Sequence, residues 1–506
     1  MSEKKAGVIF SYISLLTSSI LSILITPIML SKLGDVEYGL YQTISSFVGV
    51  LTILDFGSGV ATTKYVAEFN LKKDSEGCKN YLAMAVVING IICAVIVAAG
   101  IFFVASINSV YGKSFTASQL LRAKVLAWMY ILNIVLTIYA NLCQGVIIGF
   151  GKFAFGNGIG FAKILIRYGM ILFLLNCNFG SVAISLADII ANIAFTIIAV
   201  WFAVRRLNVY PKLNKWDNKL FWGSLTFSVA LFLQSIVSQI NNSIDKVLLG
   251  SLVGGTAVAI YAVAMNIYMI YGSLSGAIKR VLLPDAVKLV SQNVDGKKIT
   301  DFVIEGGRYQ FLFLIYILCG FILVGKEFVY LWVGESYETA YYIAIILMTP
   351  TLFQLSQNIT ETILDAMGKR MVRSVILTVG AAANVIITIV LVKRYGAIGA
   401  PVGTAISCVA SWLVALNIYH KRVMGLQVFR MFFEICHKIV PCALLSMAVA
   451  LPVNMMNISD FCSLIIKGVI FSVVYLLLLW LFGLNLNEKR LIKGLLNKER
   501  KIWIQR

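Results

Sequence analysis

Lys163 and Arg167 stand four residues apart inside the apolar stretch 158–176, a spacing that puts both on one face of a helix. A charge at membrane depth costs at least ~2.5 kcal/mol unless it is paired or hydrated. A guanidinium beside an ammonium has the chemistry to receive a phosphate or pyrophosphate, the first as a bidentate fork and the second as a point charge. Competing uses exist for both. Asp188 enters the next apolar stretch from the same side, so Arg167 either ties two helices together as an ion pair or contacts a substrate. Lys163 has no evident acidic partner and lies close enough to the inner boundary to snorkel instead. Asp55, beside Gly57 and Gly59 in the stretch 39–62, is placed either to take up a coupling proton or to pair with Lys64 or Lys279.

Polar ladders accompany these charges. Thr137, Asn141, Gln144, Gly151 and Lys152 recur 217 positions later as Gln354, Asn358, Glu361, Gly368 and Lys369. Steps of four and then three hold such a ladder on one helix face, and polar groups inside hydrocarbon must meet protein or water. A further stripe, Gln234, Ser238, Asn241 or Asn242, and Asp245 with Lys246, answers Ser14, Ser18, Ser22 and Thr26 at an offset of 220. Small hydroxyls also serve as plain interhelical contacts, which suits the serines of the first helix. The amide-rich stripe and the ladder ending in Glu361 and Asp365 predict instead the lining of a shared central cavity.

The elements that position these residues follow from composition. Of 506 residues 59% are hydrophobic and 13% charged, which excludes a soluble globular domain. Apolar stretches of about 20 residues, enough for one crossing, fall near 8–31, 39–62, 81–107, 123–148, 158–176, 182–204, 223–250, 257–280, 309–331, 340–364, 371–392, 398–419, 439–456 and 463–484. The expected fold is an all-α polytopic membrane protein with about fourteen transmembrane helices. With a cytoplasmic N-terminus, 32 of the 43 lysines and arginines lie in inner segments and seven in outer ones, so both termini are expected inside. The net charge of +20 is therefore topological and does not point to nucleic acid.

Residues 205–222, with Pro211 and five cations, read as a cytoplasmic linker between an N-terminal six-helix lobe (1–204) and a C-terminal one (223–419); residues 420–506 add two helices and a basic tail. Leu33-Gly34 answers Val253-Gly254 and Phe179-Gly180 answers Tyr395-Gly396, so three matches in order support a duplicated, pseudo-symmetric pair of lobes around the cavity. The tail from Asn485 interleaves cations with Leu491, Ile492, Leu495 and Leu496, as either an interfacial amphipathic helix or a solvated basic segment. Lys467, just inside the last helix, reads as a snorkelling residue. No removable signal peptide is expected.

Nine cysteines without a CxxC pair and two histidines offer no metal site or disulfide framework, and no cofactor is expected. There is no P-loop, nucleophile elbow or HExxH. Outer loops are short, which argues against a membrane glycosyltransferase or polymerase. A non-enzymatic transporter is the expectation.

Leu33-Gly34 with Glu37-Tyr38-Gly39-Leu40-Tyr41, Asp55-Phe56-Gly57, Asp245-Lys246 before Leu249-Gly250, Leu331-Trp332-Val333-Gly334 with Tyr337, Gly368-Lys369 and Tyr395-Gly396-Ala397-Ile398-Gly399-Ala400 together resemble bacterial polysaccharide flippases of the O-antigen type. These belong to the multidrug, oligosaccharidyl-lipid and polysaccharide exporter superfamily. The resemblance implies movement of undecaprenyl-pyrophosphate-linked oligosaccharide from the cytoplasmic to the periplasmic leaflet of the inner membrane. Alternating access would be driven by an ion gradient, of protons or sodium, or by the membrane potential. It implies lipid partners and polysaccharide-assembly proteins. Lys163, Arg167 and Lys246 would then be the pyrophosphate-binding cations, and Asp55, Asp188, Asp245 and Glu361 coupling or gating groups. Thr137, Asn141, Gln144, Gln234, Ser238, Asn242, Gln354 and Asn358 would line the cavity. A cation-coupled multidrug exporter of the same superfamily is the alternative, and it would favour acidic and aromatic over basic cavity residues.

Overall fold

The computed structural model describes residues 3–55, 57–292, 294–454, 461–486 and 488–490. Among the described residues the regular structure is entirely helical. Chain order is α1 (Glu3–Val50), α2 (Ser58–Lys72), α3 (Ser75–Tyr111), α4 (Ala117–Gly149), α5 (Phe153–Asn176), α6 (Val182–Arg205), α7 (Asn218–Leu252), α8 (Gly255–Ser291) and α9 (Gly296–Val333). It continues with α10 (Glu338–Ser356), α11 (Ile359–Ala366), α12 (Arg370–Tyr395), α13 (Gly399–Cys408), α14 (Leu416–Met424), α15 (Val428–Cys436), α16 (Ile439–Asn454) and α17 (Phe461–Leu478). A π-helical stretch, Val409–Ala415, joins α13 to α14.

Helix starts obey local chemistry. The Asp74 carboxylate accepts from Gly77 N to begin α3, Asp217 accepts from Lys219 N and Leu220 N at α7, and Thr116 with Gln119 forms a capping box at α4. Eleven described stretches are long and apolar enough to cross a membrane. Two of them, Ile9–Lys72 and Met371–Met424, run to 64 and 54 residues, far beyond the ~20 of one crossing. Both contain a glycine with positive φ, Gly34 at 73° and Gly396 at 62°. With α7 as a further 35-residue helix, the architecture is consistent with fourteen crossings.

The duplication leaves a backbone signature. Gly34 and Gly254 have φ of 73° and 117°, Gly151 and Gly368 of 75° and 71°, and Gly180 and Gly396 of 61° and 62°. Each repeated pair occupies the region that only glycine enters freely.

The chain forms two contact units, one of residues 1–263 with 385–400, the other of 264–384 with 401–506. In the first, α4 packs on α2, α3 and α6, and α1 packs on α5 and α7. Tyr65, Tyr81, Leu82, Leu142 and Val146 form one core cluster; Ala140, Ile147, Phe195 and Ala199 form another. The irregular segment 206–217 is pinned to α3: Asn80 Oδ1 accepts from Asn214 N and Lys215 N at 2.9 and 3.1 Å, and its Nδ2 donates to Lys215 O at 2.8 Å. In the second unit α9 is the axis on which α10, α15, α16 and α17 pack.

Three expectations are corrected. The stretch 39–62 is not one helix: it ends in a 3-10 turn at Leu51–Asp55 and restarts after Gly57, whose φ of 65° lies outside the α-helical region, as does that of Gly34 at the kink within α1. The stretch 340–364 breaks between Ser356 and Ile359, where the Thr360 hydroxyl donates to the Gln357 carbonyl (2.6 Å), a local bond that competes with the helix ladder, and the Gln357 side-chain amide donates to the distant Trp412 O (3.1 Å). Lys467 does not snorkel; it is 3% exposed and ion-paired with Glu327 of α9. Residues 491–506 of the basic tail lie outside the described residues. Just before them, Glu488 is held by Arg308, whose Nε and Nη2 donate to it at 2.7 and 3.1 Å.

Candidate functional site

Glycines set the frame. On α4, Gly145 faces α2 so closely that a Cβ there would stand 2.5 Å from the carbonyl oxygen of Gly59, while a Cβ at Gly59 would stand 2.9 Å from the Asn141 carbonyl. This backbone approach is what small residues permit between membrane helices. It delivers Asn141 to the 3-10 turn, where its Nδ2 donates to Asp55 Oδ2 at 3.3 Å and the Ser58 hydroxyl donates to Asp55 Oδ1 at 2.6 Å. Of the two cations considered as partners of Asp55, Lys64 stands over the Tyr65 ring at 5.0 Å, and the side chain of Lys279 lies outside the described residues.

On the other side of Asn141 is a cavity of about 280 Å³, lined by Ala140, Asn141 and Gln144 of α4, Gly160, Lys163, Ile164 and Arg167 of α5, and Phe195 of α6. At ~30 Å³ per molecule it has room for roughly nine waters. Arg167 donates through Nε to Asp188 Oδ1 on α6, and its guanidinium carbon lies 5.0 Å from the Tyr168 ring centroid. Lys163 Nζ sits 5.3 Å from the Phe195 ring centroid, and no described carboxylate lies within 4 Å of it. An ammonium over an aromatic face keeps its charge and two or three donors available for an anion. Gln144 Nε2 donates to Gly156 O at 3.4 Å. The structure thus assembles four sequence-predicted residues, Asn141, Gln144, Lys163 and Arg167, around one cationic cavity, with Asp188 and Asp55 immediately behind.

Other candidates go elsewhere. Thr137 accepts at 3.0 Å from Asn192 Nδ2, which also donates to Asn133 Oδ1 at 2.6 Å, an α4–α6 tie outside the cavity lining. Lys246 donates to Gln42 Oε1 at 3.2 Å, in a chain with Tyr38, whose hydroxyl accepts from Gln42 Nε2 at 2.9 Å. It does not line the cavity of Lys163 and Arg167. Its neighbour Asp245 is 1% exposed and accepts from the Tyr261 hydroxyl, since adjacent helical residues face apart. In the second unit the Cys408 thiol donates to Gln354 Oε1 at 3.2 Å, Asn358 Nδ2 donates to Ser275 Oγ at 3.3 Å, and Glu361 with Asp365 brackets Arg373 at 3.8 and 3.3 Å. The side chains of Gln234, Ser238, Asn241 and Asn242 lie outside the described residues.

Several residues were missed in sequence. Asn89 and Asn192 carry buried amides in apolar helices and Asn133 a half-buried one, the same costly pattern that singled out Asn141. The Gly145-Val146-Ile147-Ile148-Gly149 spacing is a small-xxx-small helix contact readable without a structure.

Among the described residues the chain is an all-helical, multi-pass bundle whose first unit holds a cavity lined by two cations and two amides. Residues 5–290 match the model of the polysaccharide biosynthesis protein family, and the chain belongs to that family. Capsular polysaccharide biosynthesis protein CapF of Staphylococcus aureus is 26% identical over 274 residues, 53% of this chain and 67% of CapF. An uncharacterised membrane protein of Methanocaldococcus jannaschii is 21% identical over 435 residues, 82% and 83% of the two chains. Among solved structures, the lipid II flippase MurJ in an inward closed conformation shares the fold at a TM-score of 0.75 and 17% identity, covering 93% of this chain and 98% of MurJ. An inward-facing multidrug resistance MATE transporter shares it at 0.61 and 17%, covering 80% and 98%. The chain therefore shares one helical fold with these two transporters.

Proposed function

We propose that the protein flips undecaprenyl-pyrophosphate-linked oligosaccharide, a polysaccharide repeat unit, from the cytoplasmic to the outer leaflet of a bacterial cytoplasmic membrane, with both termini cytoplasmic. The observation that carries the reading is the cavity in which Lys163, with no described carboxylate within 4 Å, stands beside Arg167 and the amides of Asn141 and Gln144. Two cations answer a pyrophosphate, amides answer sugar hydroxyls, and the polyprenyl tail stays in hydrocarbon. Asp188 holds Arg167 in place until an anion competes for it. Membership of a polysaccharide biosynthesis family supports the substrate class. A drug exporter for cations has no use for Lys163 and Arg167, because like charges disfavour its substrate.

The test is export in a strain lacking this protein, complemented with wild type or with Arg167→Ala and Lys163→Ala, scoring surface polysaccharide against membrane protein level. Loss of polysaccharide at normal protein level is expected. Full export by the double variant, or a drug-susceptibility phenotype without any polysaccharide phenotype, overturns the reading.

A further inference from the structure

In the second unit two neighbouring helices lose regularity side by side. α10 ends at Ser356 and α11 begins at Ile359, while the chain between α13 and α14 is π-helical over Val409–Ala415. The two irregularities are tied: Gln357 Nε2 donates to Trp412 O, a carbonyl of the π-helical stretch, at 3.1 Å. Widened turns of this kind mark places where a helix bends. Facing the break, α9 carries Gly306 and Gly307. A Cβ on Gly307 would stand 2.7 Å from Ser356 O, the carbonyl that ends α10, and the Ile359 side chain lies on Gly306, so backbone bears on backbone at this point.

Packing of the repeat does not demand these features. At the offset of 217 the break answers Ala140 and Asn141, inside the unbroken α4, and at 216 the π-helical stretch answers 193–199, inside the unbroken α6. Asn141 makes its tie to Asp55 from a continuous helix; the second copy makes the same tie, Asn358 to Ser275, from a broken one.

That tie belongs to a buried pin. Asn358 Nδ2 donates to Ser275 Oγ of α8 at 3.3 Å, and the Ser275 hydroxyl donates to Gln310 Oε1 of α9 at 3.2 Å. Ser275 and Gln310 are 1% and 0% exposed, yet Gln310 Nε2 and Asn358 Oδ1 find no hydrogen-bond partner among the described residues. Buried polar groups are seldom left so. A spare donor and a spare acceptor, on two side chains that already meet at one hydroxyl, can bond each other after a small movement of Asn358. Two hydrogen-bonding arrangements are therefore open to the same three residues, as a switching element requires. Beyond the break the chain is braced as one piece. Arg373, in the first turn of α12, donates to Glu361 O at 3.3 Å and stands 3.8 and 3.3 Å from the carboxylates of Glu361 and Asp365.

We propose that Gln357–Asn358 is a hinge on which α11 and the first turn of α12 swing as one body against α8 and α9. Ser275 is the catch that holds the arrangement seen here, and Gln357 carries the movement to the π-helical stretch. The inference does not depend on what the protein transports.

The experiment uses the full-length protein in lipid nanodiscs, spin-labelled at Lys298 of α9 and at Lys369 before α12, both exposed, after the exposed Cys177 and Cys462 are made serine. Two label distances are expected. Ser275→Ala, which leaves Gln310 and Asn358 to bond each other, should change their ratio about fivefold, the effect of one net hydrogen bond. Ser275→Cys, a poor hydrogen-bonding group in the same space, serves if alanine does not fold, and matched melting temperatures certify each variant. Hydrogen exchange on the same samples reads the coupling: Ser275→Ala should alter exchange over 355–366 and 409–420 together, and adding Gln357→Leu should confine the change to 355–366. A single distance that Ser275→Ala leaves in place overturns the hinge. Faster exchange with no change in the distances means only a loosened serine, and overturns it as well. If 409–420 still follows 355–366 once Gln357 is leucine, the link through Gln357 is overturned.

Discussion

Arg167 of α5 donates to Asp188 of α6, and the positions that repeat them 217 and 216 residues later, Asn384 and Thr404, also hydrogen-bond to each other, at 3.3 Å. One interhelical tie is therefore built twice, as an ion pair in one copy and a neutral pair in the other. Lys163 likewise answers Gly380, where a Cβ would already press on Ser411. At these three positions the interhelical packing recurs in both copies, while the charged side chains stand only in the N-terminal one.

This separates two roles for Arg167. If it only ties helices, Arg167→Asn with Asp188→Thr, the neutral pair of the other copy, restores function. If it receives an anion, that double variant folds but does not export. The second outcome is expected: normal membrane levels and thermal stability, with surface polysaccharide reduced at least tenfold. Asp188→Asn alone should weaken export less than Arg167→Ala, because it frees the guanidinium instead of removing it. Equal export by the double variant and wild type refutes the binding role.

Lys163 gives a cleaner reading of charge. With no described carboxylate within 4 Å to orphan, Lys163→Met keeps an unbranched side chain of similar length and removes the ammonium that lies over Phe195. Pyrophosphate affinity should fall about tenfold, equivalent to ~1.4 kcal/mol for one charge-assisted contact, while Lys163→Arg retains most of it. Calorimetry on the purified variants decides, and unchanged affinity in Lys163→Met removes the residue from the site.

How much of this was legible beforehand depended on the kind of signal. The repeat glycines were readable because a backbone in the left-handed region admits almost nothing else, and Gly34, Gly151, Gly180, Gly254, Gly368 and Gly396 all have φ between 61° and 117°. Lys163, Arg167 and Asp188 were readable because hydrocarbon makes charge conspicuous. The breaks at Leu51–Gly57 and at Gln357–Asn358 were not, since hydropathy reports that a segment is apolar and says nothing of its hydrogen bonds. Nor was the destination of Lys246: one-dimensional spacing places it near a cavity-facing stripe, while its partner Gln42 comes from 204 positions away.

The crossing of α2 and α4 should be intolerant of volume. A Cβ on Gly145 would stand 2.5 Å from the Gly59 carbonyl, with Thr62 at 2.9 Å. Overpacking of this kind costs about 1–3 kcal/mol. Gly145→Val is expected to lower the melting temperature of the purified protein and to weaken the Asn141–Asp55 contact with it. A melting point equal to wild type would show that the helices separate without penalty.

The buried pair Arg308–Glu488 predicts a purely structural phenotype. The two side chains are 3% and 7% exposed, and Arg308 also donates to the carbonyls of Glu434 and Gly483 at 2.8 and 3.0 Å. Removing one partner strands the other charge, at a cost of about 3–5 kcal/mol. Glu488→Ala should lower protein level and thermal stability without changing the pyrophosphate affinity of the fraction that remains folded.

Gly160 offers the opposite experiment, in which the fold should survive and transport should not. It lines the cationic cavity, and a Cβ built there meets nothing within 4 Å. Replacing glycine inside a helix also removes a penalty of about 0.5–1 kcal/mol. Gly160→Phe is therefore expected to leave stability equal or slightly raised while its ring fills a space of about 280 Å³ beside Lys163 and Arg167. Gly160→Ala, adding one methyl to open space, should export normally. Graded loss of surface polysaccharide from glycine through alanine to phenylalanine, at constant melting temperature, would place the transport path through this cavity. Full export by Gly160→Phe would place it elsewhere.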